Sequence, residues 1–171
     1  MSKKLKIKIS AELIKEKVAQ IGKRLSRDYK GKNPVFVGIL NGSFMFMADL
    51  MKEVSIDCEI CFIQLKSYEG KYSTGTVELI KEFDNDLSNR HVIIVEDIVE
   101  TGQTLKYILK KLERIPTKSV RIVSLLIKYM SKKFKFNIHY IGFEISQEFV
   151  VGYGLDYNKR FRNLDSIYSL E

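Results

Sequence analysis

No apolar run in this chain approaches the roughly 20 residues that a membrane-spanning helix needs. The opening stretch MSKKLKIKIS is basic and lacks the continuous apolar core of a secretory leader, so a cytoplasmic protein with no membrane partner is expected. Cysteine is scarce, with two residues, and so is histidine, with His91 and His139 alone. The cysteines form Cys58-Glu59-Ile60-Cys61, a C-x-x-C pair with no second pair to complete a zinc site. The segment Ile56 to Leu65 reads as a strand, where residues three apart point to opposite faces. Free, mostly buried thiols in a reducing compartment are therefore expected. Internal repeats, low-complexity stretches and linkers are also missing, so the 171 residues are expected to form one domain with a full-sized core.

The charge balance is one-sided. Lysine and arginine exceed the acids by 8, which favours anionic partners, either nucleic acid or small polyphosphates, without choosing between them. The lysines are scattered (Lys3, Lys4, Lys6, Lys8, Lys30, Lys32, Lys132, Lys133, Lys135) and no long basic helix gathers them.

The informative stretch is His91 to Leu105, HVIIVEDIVETGQTL. Val92-Ile93-Ile94-Val95 reads as a strand buried on both faces. Glu96 and Asp97 follow, then a loop Ile98 to Thr104 with Gly102 between hydroxyls, then a helix from Leu105 to Leu112. A strand, short glycine loop and helix deliver backbone N–H groups and the positive end of a helix dipole to one point, a ready phosphate site. Carboxylates beside such a cradle repel the anion unless they face another part of the ligand, and the hydroxyls of a ribose, with or without Mg2+, suit them. The order is neither a Walker loop nor G-x-G-x-x-G. The plainer alternative is that Glu96 and Asp97 end a strand and Thr101 or Thr104 caps a helix.

Elsewhere, Lys4 to Ile9 alternates lysine with Leu5, Ile7 and Ile9 as a half-exposed strand. Ser10 is a good N-cap for an amphipathic helix over Ala11 to Tyr29, with Leu13, Val18, Ile21 and Leu25 inward. Val35 to Leu40 is a buried strand and Phe44 to Val54 a short helix. The turn between them, Asn41-Gly42-Ser43, is either a plain connection, with Ser43 as cap, or a second site of close backbone approach. Lys66 to Thr76 is polar and glycine-punctuated, either a mobile lid or a hairpin tip. Val77 to Ile80 returns as a strand. Ser119 to Ile127 is another buried strand ending in Lys128, Tyr140 to Ile145 is a short one, and Ser166 to Leu170 is the last. Phe134 and Phe136 alternate with lysines as packing residues.

The nine residues Glu96 to Thr104 resemble the phosphoribosyl-diphosphate signature of type I phosphoribosyltransferases. Phe149-Val150-Val151-Gly152-Tyr153-Gly154-Leu155-Asp156-Tyr157 is similar to a second motif, found in the hypoxanthine-guanine members. The resemblance covers nearly the whole chain. It implies an α/β fold, a mainly parallel sheet flanked by helices, with a small hood from residues 1–10 and 146–171. It implies transfer of phosphoribosyl from 5-phosphoribosyl diphosphate to hypoxanthine or guanine, with Mg2+, in a homodimer or homotetramer. Glu100 becomes the proton carrier, where aspartate is usual. Glu100, Thr101, Gly102, Gln103 and Thr104 become the phosphate loop, and Glu96 and Asp97 the ribose or metal ligands. Lys128, Phe149 and Val150 would meet the purine. Asn41, where lysine is common with a cis peptide before it, Gly42 and Arg162 would meet diphosphate. Asp156 would meet the metal, and Ser67 and Tyr68 would begin the lid. Without the resemblance Phe149 reads as core and Arg162 as surface. The same fold also occurs in nucleotide-sensing regulators that bind RNA or DNA, and in enzymes of other bases. The purine-pocket residues Lys128, Phe149 and Asp156 weigh against the regulator, and an enzyme of another base stays open.

Overall fold

The computed structural model describes residues 4–67, 77–128 and 134–170. Tyr68 and the rest of the lid segment up to residue 76 lie outside them, as do residues 129–133.

The element order is β1 (Leu5–Ile9), α1 (Ala11–Asp28), β2 (Val35–Leu40), α2 (Phe44–Glu53), β3 (Glu59–Ser67), β4 (Val77–Lys81), β5 (His91–Val99), α3 (Gln103–Leu112), β6 (Ser119–Lys128), β7 (Tyr140–Ile145), β8 (Val150–Val151) and β9 (Ile167–Leu170). The larger sheet has the order β4-β3-β2-β5-β6-β7. It is parallel except for β4, which pairs antiparallel with β3. β1, β9 and β8 form a separate three-stranded antiparallel sheet from the two chain ends.

Helices on both faces explain the apolar runs of the central strands. Phe36, Ile93 and Val95 face a cluster that includes Ile14, Val18 and Leu25 of α1 and Phe46 and Leu50 of α2. Val35, Val37, Val92 and Ile94 face Leu105, Ile108 and Leu112 of α3. With both faces covered, every second residue cannot be polar. The small sheet joins the first cluster through Ile9, Val150 and Ile167.

Four expectations need correction. β5 does not end before the acids. β6 offers a ladder that pairs Glu96 with Ser124 and Val99 with Ile127, so both acids lie within the strand. β3 starts at Glu59 rather than Ile56, because β2 begins at Val35 and its first partner is Glu59. Cys58 therefore precedes the strand and packs towards the α1–α2 cluster, while Cys61 packs towards α3. On β1 the register shifts between Ile7 and Ile9, which leaves Ile7 56% exposed. In α1 the buried residue is Ile14 and not Leu13, which is 51% exposed. Ser10 does cap α1, accepting from the Leu13 N–H at 3.4 Å. No helix among the described residues is long and apolar enough to cross a membrane.

Candidate active site

Parallel strands bring their carboxyl ends to one edge, and the loops there carry the chemistry. β2 ends beside Asn41-Gly42, β5 runs into Glu100, and β6 ends in Lys128. A cavity of about 340 Å3 lies over this edge. It is lined by Gly42, Asp97, Glu100, Lys128, Phe149, Val150, Asp156 and Arg162, all singled out from the sequence, and by Ile98 and Leu155, which were not. The two missed residues are apolar neighbours of Asp97 and Asp156. Nothing in their type marks them, and only adjacency to the motif acids pointed their way.

Two ion pairs face this space. The Lys128 ammonium lies 2.5 Å from Glu100 Oε1. The lysine side chain is 6% exposed and the glutamate side chain 53%, so a nearly buried cation is neutralised by a carboxylate at the cavity mouth. Across the cavity Arg162 Nη2 lies 2.6 Å from Asp156 Oδ1, and Arg162 Nη1 donates to the Gly154 carbonyl at 2.6 Å. Asp156 Oδ2 accepts the Lys159 N–H at 2.8 Å. Phe149 is 52% exposed and meets Tyr157 edge-on, with ring centroids 5.8 Å apart at 83°. Phe149 is not core, because it faces the cavity.

Glu96 and Asp97 are 7% and 8% exposed. Burial raises the Glu96 carboxyl well above its ordinary value, and the neighbouring Asp97 charge adds to this. Burial also raises Asp97, opposed by hydrogen bonds from Glu96 and from the Ile98 N–H, the latter at 2.9 Å, and by the Arg162 charge. Burial and the neighbouring charge thus favour the neutral form of Glu96 more than that of Asp97. Only Asp97 of the two lines the cavity.

A raised carboxyl has a definite sign for stability. Above the ordinary glutamate range the unfolded chain has lost this proton and the folded chain keeps it, so the group's contribution falls as pH rises towards its folded value. Glu96→Gln removes that loss and can still donate to Asp97. Its melting temperature is expected to exceed wild type near pH 7. The gain should vanish near pH 4.5. Calorimetry across that range checks it, and a constant or reversed difference contradicts the raised Glu96 carboxyl.

Gly42 and Gly102 are at positions that only glycine fits. A Cβ on Gly42 would overlap the Asp97 carboxylate, and the Gly42 carbonyl abuts Gly154. The Leu40–Asn41 peptide is cis. The Asn41 side chain is exposed and accepts a long bond from Gln64 at 3.4 Å. Ser43 is no side-chain cap. Its backbone is already helical, and its hydroxyl turns back to donate to the Ile39 carbonyl at 2.6 Å instead of accepting from an N–H of α2. Gly102 is the N-cap of α3 at φ 73°, with no side-chain cap bond. Thr101 and Gln103 are exposed beside it, and Thr104 is half-buried. The first-turn N–H groups of a helix lack intrahelical partners, so this end offers donors. Gln103 itself lines a larger cleft of about 890 Å3 along α3, which contains neither ion pair. Ser67 ends β3, on the same edge of the sheet.

Hard oxygen donors are at hand for a divalent cation, but no three acidic, histidine or cysteine groups among the described residues converge as a metal cage. Mg2+ held by one or two carboxylates and by substrate phosphate suits such a set.

A phosphoribosyl transferase domain model matches residues 8–158. The chain belongs to the phosphoribosyltransferase family. It is 43% identical over 164 residues to a hypoxanthine-guanine phosphoribosyltransferase of Staphylococcus aureus, covering 95% of this chain and 92% of that one. It is 40% identical over 163 residues to the bifunctional protein TilS/HprT of Listeria monocytogenes, covering 95% of this chain but 25% of that protein. The phosphoribosyltransferase thus spans about a quarter of the length of such bifunctional relatives. A crystal structure of a hypoxanthine phosphoribosyltransferase from Staphylococcus aureus superposes with a TM-score of 0.92 at 42% identity, over 97% of this chain and 91% of that one.

Proposed function

We propose that this phosphoribosyltransferase joins hypoxanthine or guanine to 5-phosphoribosyl diphosphate, giving IMP or GMP and diphosphate. The observation that carries this reading is the Lys128–Glu100 pair at 2.5 Å, set in the same cavity as the Asp156–Arg162 pair. An oxopurine presents a carbonyl oxygen and a ring N–H side by side on one edge. An ammonium beside a carboxylate offers a donor and an acceptor in the same arrangement. The incoming base would separate the pair, its oxygen replacing Glu100 on the ammonium and its N7 proton passing to the carboxylate.

The other roles are those that the resemblance implies. Phe149 would stack on the base, and the Val150 backbone would meet its edge. The ribosyl carbon would pass through an oxocarbenium-like state, with Asp97 accepting the ribose hydroxyls and Glu96 completing the acidic pair behind it. Backbone donors over Glu100, Thr101, Gly102, Gln103 and Thr104 would hold the 5′-phosphate at the start of α3. Gly42, the Asn41 backbone and Arg162 would meet the diphosphate end, with Ser67 and Tyr68 at the start of a covering segment. Asp156 is the residue proposed for Mg2+, which would neutralise the departing diphosphate. Arg162 leaves its bond to Asp156 for diphosphate oxygens in this scheme. We also propose a single-domain protomer whose small sheet forms the hood, working in the cytoplasm as a homodimer or homotetramer. A sedimentation mass equal to one chain would contradict the last point.

Lys128→Ala tests the reading of the base. It is expected to lower kcat/KM for hypoxanthine and guanine by the equivalent of about 1.5–3 kcal/mol, the worth of a charge-assisted hydrogen bond. Binding of 5-phosphoribosyl diphosphate, measured calorimetrically, should stay near wild type. An unchanged kcat/KM for both bases would remove Lys128 from the purine site.

A further inference from the structure

The phosphate loop assigned above has a support that no motif residue supplies. Phe134 and Phe136 stack with centroids 5.0 Å apart and planes within 6°. Both are half-buried at the margin of the α3 cluster. Their ring edges fill the space where Gly102 has no side chain. A Cβ there would lie 2.7 Å from Phe134 Cε1 and 3.0 Å from Phe136 Cζ. Gly102 is buried between the exposed Thr101 and Gln103, so the rings close one side of the turn.

This turn lacks the usual internal fastening. No side chain caps α3, and the Gln103 N–H reaches the Thr101 hydroxyl only at 3.4 Å. The turn follows Glu100, whose side chain is engaged with Lys128 at the end of the neighbouring β6. A left-handed residue at a cap needs packing or hydrogen bonds to keep one conformation, and here ring packing is what the structure provides.

We propose that the Phe134–Phe136 stack is a positioning device for the phosphate-binding turn. It holds Gly102 at φ 73° so that the N–H groups at the start of α3 converge on the 5′-phosphate before the ligand arrives. The inference rests on the phosphoribosyltransferase reading given above and adds two residues outside its motifs. Neither ring lines the cavity that holds the two ion pairs. They act through Gly102, and their effect belongs to the phosphate end alone.

The test compares IMP with inosine, which differ by the phosphate. Binding of each is measured calorimetrically to wild type and to Phe134→Ala, Phe136→Ala and Phe134→Tyr. In wild type the phosphate should strengthen binding greatly. In either alanine variant that advantage should shrink by about ten- to a hundredfold, the range that loss of a supporting contact costs, while inosine binding stays within about twofold. KM for 5-phosphoribosyl diphosphate should rise with kcat little changed, and Phe134→Tyr should restore the wild-type ratio. If an alanine variant does not fold, Phe134→Leu reads the same ratio with part of the packing kept. An undiminished phosphate advantage, or equal weakening of IMP and inosine, overturns the proposal. A wild-type protein indifferent to the phosphate overturns the functional reading as well, which separates the two failures.

Discussion

Glu100→Gln is expected to slow nucleotide formation by roughly 10²–10⁴-fold in single-turnover experiments, with 5-phosphoribosyl diphosphate bound about as well as by wild type. Glutamine keeps the size and the oxygen but cannot take a proton. The pattern that this chain resembles usually has aspartate here. Glutamate adds one methylene, and the structure shows where that reach goes. The side chain extends from the end of β5 to the Lys128 ammonium at the end of β6, 2.5 Å away. The carboxylate is thus already beside the group proposed to read the purine oxygen. Glu100→Asp restores the usual residue and should retain substantial activity, with a longer gap to Lys128. Single-turnover chemistry is the proper measurement, because product release often limits steady-state kcat and would hide the loss. Wild-type single-turnover rates in Glu100→Gln would show that the proton goes elsewhere.

Gly42→Ala should be nearly as damaging without touching any charge. The added methyl would overlap the Asp97 carboxylate. Asp97 cannot easily yield, since it is buried, bound by the Ile98 N–H at 2.9 Å and coupled to Glu96. The turn cannot easily retreat either. Gly154 packs against the Gly42 carbonyl, and Ser43 is tied to Ile39 at 2.6 Å. Either the turn or the carboxylate must move by an ångström or so, which corresponds to a loss in kcat/KM of about 10²-fold. Circular dichroism would confirm that the fold persists. Wild-type kcat/KM in the folded variant would mean that the turn and Asp97 do not act together on substrate.

The sequence made some parts of this site plain and hid others for physical reasons. β2, β6 and the span of α1 were legible because apolar runs and a helical period mark them, although the period put Leu13 inward where Ile14 is buried. The length of β5 was not, since Glu96 and Asp97 look like loop residues until β6 is known to run alongside them. The acids, Gly102 and the hydroxyls were legible as a local cluster. The pairing of Glu100 with Lys128 was not, because a contact across 28 residues of chain depends on strand order rather than on either residue's neighbours. Phe149 and Arg162 show the same limit. An aromatic among valines reads as core and an arginine near the end as surface, and only the resemblance assigned them to a site. The Ser43 hydroxyl was misread because a serine before a helix has two uses, capping forward or bonding back to the strand, and sequence does not choose between them.

The central claim is the reaction itself. Purified protein with Mg2+ and 5-phosphoribosyl diphosphate is given hypoxanthine, guanine, adenine or a pyrimidine base in turn, and nucleotide and diphosphate are measured together. The expected result is equimolar nucleotide and diphosphate with hypoxanthine or guanine, and little or none with the amino- or pyrimidine bases. Formation of no nucleotide with any base would contradict the account and leave a nucleotide-sensing regulator standing. Turnover confined to adenine or a pyrimidine would contradict the role given to Lys128 and Glu100.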